Sequence, residues 1–363
     1  MLPSALPFRS PLTLRAALAF VALASAGRAA EILTNADLES DRLRFGSITV
    51  YSENDKYFAG TDQHYTNGAK VSFLSTDLSS FTADPVPKPV QEIARTLGAL
   101  VPPGRDVKLG LSFGQNIYTP VNTQTAAPQP FDRPYAAWLY GGVAFQVYQP
   151  PRVFASGGGA VGRLDTLEVT AGMVGPLALG REVQNNYHHL IGVKPAAGWD
   201  NQIHNEPGLN FVYERKWRFS TKDHREGLGA DFIPHVGASL GNIFTYANTG
   251  FEVRGGWRLP ADFGTNLIRP SGDSNSRRRA PFSAFFFAAV DGRAVAHDVT
   301  LDGNTFRESM SVDKKPFVAD LTGGFAVGTR HWQVTYTQAS RTREFTTQQK
   351  ASVFGSISVT FYY

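Results

Sequence analysis

Along most of the chain, apolar and polar positions alternate at period two in short runs. The final run, VFGSISVTFYY, sets Ile357, Val359, Phe361 and Tyr363 on one face and Ser356, Ser358, Thr360 and Tyr362 on the other. Such alternation places one face of a strand in an apolar phase and the other in a polar one. A membrane β-barrel ends on a strand of this kind, and an edge strand of a soluble sandwich would alternate identically. Repetition favours the barrel. Trp332, Val334 and Tyr336 alternate with Gln333, Thr335 and Thr337; Leu167, Val169, Ala171 and Met173 with Thr166, Glu168, Thr170 and Gly172; Val107, Leu109, Leu111 and Phe113 with Lys108, Gly110, Ser112 and Gly114. A barrel in lipid turns the apolar face outward and fills its lumen with the small and polar one. About twelve such segments occur, an even number as bacterial barrels require. Their centres fall near Ile48, Ala69, Leu111, Trp138, Val169, Phe211, Val236, Val253, Phe286, Asp320, Val334 and Val359. The expected fold is therefore all-β, an antiparallel transmembrane barrel with short periplasmic and rim helices. Trp138, Tyr148, Trp217, Trp257 and Tyr336 near strand ends fit interfacial girdles.

With the N-terminus on the periplasmic side, the loops after odd-numbered strands share the outer rim. Turns at the other end should be short, yet 75–106 and 260–281 are long. The first contains PVQEIARTLGAL, where Val90, Ile93, Leu97 and Leu100 carry the spacing of an amphipathic helix. Both stretches read as periplasmic insertions. GASLG at Gly237–Gly241 matches the G-x-S-x-G pattern of serine hydrolases, but that motif works only at a sharp strand-to-helix turn, and DFIPHVGASLGNIF reads as strand throughout. Ser239 is expected to be structural. GGGAVG at Gly157–Gly162 lacks the context of a dinucleotide fingerprint and reads as a turn.

Composition adds the compartment. Arg9 and Arg15, the apolar run Ala16–Ala24 and the small residues of SAGRAA form an export signal over residues 1–30. The apolar run is too short for a membrane anchor, which needs about 20 residues. One mature domain, 31–363, follows. The absence of cysteine excludes disulfides and thiolate metal sites. A net charge of +4 over 363 residues is mild, and basic residues are dispersed apart from SRRRA at Ser276–Ala280, which reads as a solvated loop; no nucleic-acid partner is expected. Thirty-five glycines, 12% aromatics and a mean hydropathy of -0.20 suit a turn-rich β chain and not a helical membrane protein.

The topology gathers distant residues at one rim. Asn54 and Asp55 close the first strand, Thr66 opens the second, Tyr118 ends the third, and the loop 180–208 between the fifth and sixth carries His188 and His189. These are parts for ester hydrolysis by activated water. An imidazole takes the proton, an amide or cation holds the oxyanion, and a carboxylate binds a hard cation through oxygen. Barrel rims are polar in any case, so composition alone favours an ordinary solvated rim and does not choose between the two histidines.

At this point the sequence resembles the outer-membrane lipid A 3′-O-deacylases, the LpxR family. The resemblance rests on Asn54-Asp55, on Tyr65-Thr66-Asn67-Gly68, on Gln184-Asn185 with His188 and Ile191-Gly192, and on Gly198-Trp199-Asp200-Asn201-Gln202. It continues through IYTP (117–120), DRPYAAW (132–138) and GNIFTYANTG (241–250) and covers essentially the whole mature chain. It implies a twelve-stranded outer-membrane barrel with its site between the outer wall and the outer leaflet. There His188 is the base that activates water, Asp55 a ligand for a calcium ion, Asn54 and Thr66 site residues placing the ion or the oxyanion, and Gln184 part of the lining. The implied substrate is lipid A of lipopolysaccharide, cut by a monomeric enzyme. By strand parity Asp55 shares a face with Ser47, Thr49 and Tyr51, and Asn54 with Ile48 and Val50, so the two straddle the wall unless a bulge intervenes.

Two departures stand out. Lys194 takes the place of a glutamate six residues after the histidine, and Asp200 or Glu206 could substitute for it. Thr125-Ala126 takes the place of a Lys-Arg pair suited to lipid A phosphates. An outer-membrane esterase acting on lipid A is the leading expectation. A non-catalytic barrel, pore or structural protein, that contacts lipopolysaccharide is the alternative from another class, and a soluble lipase built on Ser239 is a third.

Overall fold

A computed structural model describes residues 45–57, 64–78, 80–82, 86–96, 105–153, 159–221, 227–265, 267–268 and 280–363. The expected export signal, Leu97, Leu100, Gly157, Gly158 and the Ser276–Arg279 part of the basic run lie outside these residues. Twelve strands follow one another: β1 (Phe45–Asn54), β2 (His64–Ser75), β3 (Asp106–Thr119), β4 (Ala136–Val153), β5 (Gly159–Val174), β6 (Glu206–Thr221), β7 (Leu228–Gly241), β8 (Phe244–Trp257), β9 (Phe282–Asp298), β10 (Phe317–Thr329), β11 (Trp332–Arg341) and β12 (Ser352–Tyr362). Each pairs antiparallel with its neighbours, and β12 returns to β1, with Val50 opposite Val359, so the sheet closes on itself. All twelve expected centres fall within their strands. Among the described residues three α-helices interrupt the series: α1 (Lys88–Thr96), α2 (Gly180–Ile191) and the single turn α3 (Val299–Asp302).

Closure fixes what each pleat face meets. Phe211, Phe232, Val253, Phe286, Leu321 and Val334 project from the outer wall, while Lys70, Glu168, Glu214, Lys216, Asp231, Glu252 and Asp320 are buried inside. The lumen is therefore a polar core held by ion pairs. Arg254 bridges Asp231 (2.7 Å) and Asp262, and Arg218 joins the same Asp231 at 3.1 Å. Asp320 takes Arg293 at 3.0 Å and Arg341 at 2.7 Å. Charges removed from water are tolerated only when paired and hydrogen-bonded in this manner.

Several expectations need correction. Trp138 and Tyr148 do not belong to an outer girdle: they share the inward parity of β4, where Trp138 is 3% exposed and stacks on Tyr140, and Tyr148 meets Phe263. Trp217, Trp257 and Tyr336 do lie on the outer parity. GGGAVG is not wholly a turn, because β5 begins at Gly159. β7 stops at Gly241, and β8 starts at Phe244 after a tight turn. The 260–281 insertion is no appendage below the barrel, for its described part enters the lumen. Asp262 pairs with Arg254, Phe263 packs on Tyr148, Thr265 N–H donates to Glu252 at 2.9 Å, and Ile268 N–H reaches Glu53 at 2.6 Å near the far end of β1. Leu259, Phe263 and Ile268 find burial there that a solvated turn could not provide.

The 75–106 stretch goes the other way, onto the outer wall. Phe81, Val86 and Ala94 of α1 and its approach cover Val107 and Leu109 of β3 and Phe145 and Val147 of β4. Val90 packs against this cluster, as its helical spacing predicts, whereas Ile93 is exposed. At the opposite rim an apolar layer of Tyr65, Tyr118, Trp138, Val174, Ile203, Ile243, Val299 and Phe354 crosses the lumen. Above it Arg133 links three loops, bonding Glu344 at 3.3 Å and Thr300 at 2.8 Å and lying over the Tyr118 ring. A cavity of about 90 Å³ remains between this layer and the inserted segment, lined by Glu53, Tyr65, Asn116, Asp291 and Arg293. A lumen so filled is not the open channel that a pore needs.

Candidate active site

The candidate residues collect outside the barrel, beside that capped rim. α2 lies on the outer wall of β3 and β4. Its buried side is the stripe Gly180, Gln184, His188, spaced i, i+4, i+8. Gly180 is where helix and wall come closest: a Cβ there would stand 2.6 Å from both the Ala137 Cβ and the Trp199 ring. Gln115, on the outer parity of β3, donates to the Ala178 carbonyl just before the helix at 2.6 Å. Ile117, Tyr135, Ala137, Ala178, Ala196 and Trp199 form the apolar bed beneath.

The end of α2 sets the histidine. Gly192 takes a left-handed conformation (φ 74°), which glycine reaches without strain. Val193 N–H then donates to the His188 carbonyl at 2.8 Å and Gly192 N–H to that of His189 at 3.3 Å. The reversed chain brings the Lys194 carbonyl 2.9 Å from His188 Nδ1. A carbonyl only accepts, so Nδ1 carries the proton and Nε2 holds the lone pair. This is the arrangement of a general base with an orienting partner. The main chain thus supplies what the missing glutamate at position 194 could not. Neither Asp200 nor Glu206 steps in: Asp200 pairs with Arg181, and Glu206 accepts from Asn242, Asn304, Thr305 and Phe306. His188 is 2% exposed, while His189 faces outward on the helix.

From the barrel side, Thr66 sits at a register shift between Tyr65 and Asn67 and bonds the Thr119 hydroxyl at 2.6 Å. Thr119 shares the outer parity of Ile117, so this pair belongs to the wall beneath α2. β1 ends at Asn54, and the pleat no longer governs Asp55. The strand position that shares the inner face of Ser47, Thr49 and Tyr51 is Glu53, which accepts from Tyr65 Oη at 2.7 Å inside the lumen. Asn54 and Asp55 are both buried. The Asn54 side-chain oxygen accepts Lys56 N–H at 2.8 Å, and the carbonyl takes Tyr57 N–H at 3.3 Å. This turn folds Tyr57 back, where its hydroxyl meets Ser52 Oγ at 2.8 Å. Burial pushes the Tyr187 hydroxyl up, and the Tyr57 phenol adds to the shift.

Sequence reasoning placed Asn54, Asp55, Thr66, Gln184 and His188 at one rim; the structure puts Gln184 and His188 on the buried side of α2 over β3 and β4, Thr66 against Thr119 of β3, and Asn54 opposite Asn67 at the end of β1, with Asp55 buried just beyond it. It missed Trp199, Thr119, Tyr57 and the Lys194 carbonyl. The i, i+4 spacing of Gln184 and His188 could have identified the buried stripe; nothing in the sequence announces a backbone acceptor. Among the described residues no three His, Asp or Glu side chains converge on a metal position. The carboxylate of Asp55 and the hydroxyl of Thr66 are nevertheless oxygen donors of the class calcium prefers. Ser239, mid-strand and bonded to the Phe244 carbonyl at 2.8 Å, is structural.

A family model described as "Outer membrane protein LpxR" matches residues 12–363. Among solved structures, LpxR from Salmonella typhimurium superposes with a TM-score of 0.65 at 21% identity, covering 87% of this chain and 100% of the other. The translocator domain of the autotransporter NalP from Neisseria meningitidis covers 98% of this chain and 100% of its own at 10% identity, with a TM-score of 0.33. No curated protein matches in sequence.

Proposed function

The chain belongs to the LpxR family of outer-membrane proteins, and from that premise we propose that it is a carboxylic ester hydrolase that removes the ester-linked 3′-acyl (acyloxyacyl) chain from lipid A. The observation that carries the reading is the 2.9 Å bond between His188 Nδ1 and the Lys194 carbonyl, which leaves Nε2 as a base on a buried helix face against the outer wall. A site outside the barrel meets a substrate embedded in the outer leaflet, with the capped rim toward the exterior. All its parts come from one chain, which suits a monomer.

In this reading Nε2 of His188 takes a proton from water as the water oxygen attacks the ester carbonyl. The tetrahedral oxyanion collapses, the sugar oxygen leaves with the proton held on Nε2, and a free fatty acid and a sugar hydroxyl result. The amide of Gln184 stands one helical turn before the base as a donor to the oxyanion, while Asn54 and Thr66 shape the wall side of the site. Asp55 and Thr66 would hold a calcium ion, which when bound supplies positive charge beside the developing oxyanion. With one carboxylate, affinity belongs in the weak range of about 10⁻⁴–10⁻³ M.

The test is purified protein in detergent with lipid A and calcium, read by mass spectrometry. Loss of the whole 3′-acyl (acyloxyacyl) unit is expected, absent in His188→Ala and slowed by chelation. Acyl loss that persists unchanged in His188→Ala refutes the assignment of the base.

A further inference from the structure

Trp199 is 1% exposed and donates from its indole nitrogen to Gln184 Oε1 at 2.8 Å. The indole N–H can only donate, so the Gln184 side chain must offer oxygen to it and turn its NH₂ elsewhere. That Nε2 is buried and meets no hydrogen-bond acceptor among the described residues. A buried amide donor left without an acceptor costs on the order of 1–3 kcal/mol, a cost that makes sense if a substrate or water oxygen completes it. Gln184 precedes His188 by one turn on the same buried stripe, so the donor lies one turn from the base on the same side of the helix.

Trp199 is itself held on every side. Its ring packs on Tyr135 at 4.9 Å, lies against the glycine at position 180, and opens the short turn Trp199–Asn201. The Asn201 amide in turn bonds the Ala126 carbonyl at 2.8 Å, tying the turn to the β3–β4 loop. We propose that Trp199 is a positioning residue for this reaction: it fixes the flip state of the Gln184 amide so that an N–H, and not a carbonyl oxygen, is presented to the oxyanion. Without the indole N–H, the amide could rotate by half a turn and place a partial negative charge where negative charge develops. The inference rests on the esterase reading above.

A double-mutant cycle in the full-length protein, assayed on lipid A, tests it. Trp199→Phe keeps a six-membered aromatic ring against Tyr135 and removes the N–H together with the rest of the five-membered ring; kcat should fall about tenfold with KM unchanged. Gln184→Glu still accepts the indole N–H but replaces the amide donor with an acceptor, and kcat should fall on the order of 10²-fold. In the Gln184→Glu background, Trp199→Phe should cost nothing further. Equal losses from Trp199→Phe in both backgrounds, or wild-type kcat in Gln184→Glu, overturn the proposal and leave the esterase reading standing. A wild-type protein that releases no fatty acid sinks that reading and this one together. A second readout does not depend on turnover: hydrogen exchange of the Trp199 indole N–H should be slow in the wild type and fast in Gln184→Met, and equal rates refute the bond.

Discussion

Around the barrel, the outer wall changes character. On β3 and β4 the outward side chains Val107, Leu109, Ile117, Ala137, Phe145 and Val147 are buried, because α1 covers one end of these strands and α2 the other. On β7 to β11 the same parity is bare, and Phe232, Val236, Leu240, Phe251, Phe286, Leu321, Phe325 and Val334 stand open. The bare arc asks nothing of its residues beyond apolarity and fit to lipid. The covered arc holds polar side chains outside a membrane barrel, where Gln115 bonds the Ala178 carbonyl, Thr119 the Thr66 hydroxyl, Gln184 the Trp199 indole and His188 the Lys194 carbonyl. Burying polar groups is unfavourable without partners, so their concentration on one arc sets that arc apart and supports the proposed location of the site.

Substitutions on the two arcs should therefore separate activity from stability. The largest effect expected is on the covered arc: His188→Ala should reduce fatty-acid release by about 10²–10⁴-fold, while heat-modified gel mobility shows an intact barrel. Next comes the bare arc, where Leu321→Arg should cost about 2–4 kcal/mol in refolding into bilayers and leave the turnover of the folded fraction unchanged. A Leu321→Arg variant that folds normally but loses activity would contradict the division. Gly192→Ala places a side chain at a left-handed position for about 1 kcal/mol; the resulting shift of the Lys194 carbonyl should lower kcat severalfold, with melting of the barrel barely altered.

The smallest effect concerns the loops that roof the lumen. Burial alone would raise the Glu344 carboxyl, but the guanidiniums of Arg133 and Arg341 outweigh it and hold it below the ordinary value of 4.5. A depressed carboxyl contributes its full stability above the unfolded value and loses it as pH falls below about 4.5 through the folded one. Hydrogen exchange of 342–351 should therefore quicken on acidification in the wild type, and Glu344→Gln should exchange quickly at neutral pH already. Exchange in the wild type that is flat across that range would remove Glu344 from the account of the cap.

The strand count and centres were legible because period-two alternation is a local signal, whereas closure of the sheet is seen only in the pairing of β1 with β12. The rim holding Asn54, Asp55, Thr66 and His188 was legible by strand parity and by resemblance. Other features depend on packing that no local pattern encodes. Trp138 reads as a girdle residue, yet inward parity on β4 puts it in the apolar layer. The 260–281 stretch reads as a long turn, and only the Arg254–Asp262 pair and the burial of Phe263 reveal that it turns inward. Lys194 reads as the loss of a carboxylate, whereas its main chain supplies the acceptor.

The bond from Ile268 N–H to Glu53 Oε1 joins positions 215 residues apart in sequence. It bears on how the molecule is assembled. Contacts between such remote segments carry a large loop-closure cost, which slows folding. A molecule with its wall complete and its interior unfilled would lack the inner buttress of the very strand that delivers Asn54 and Asp55.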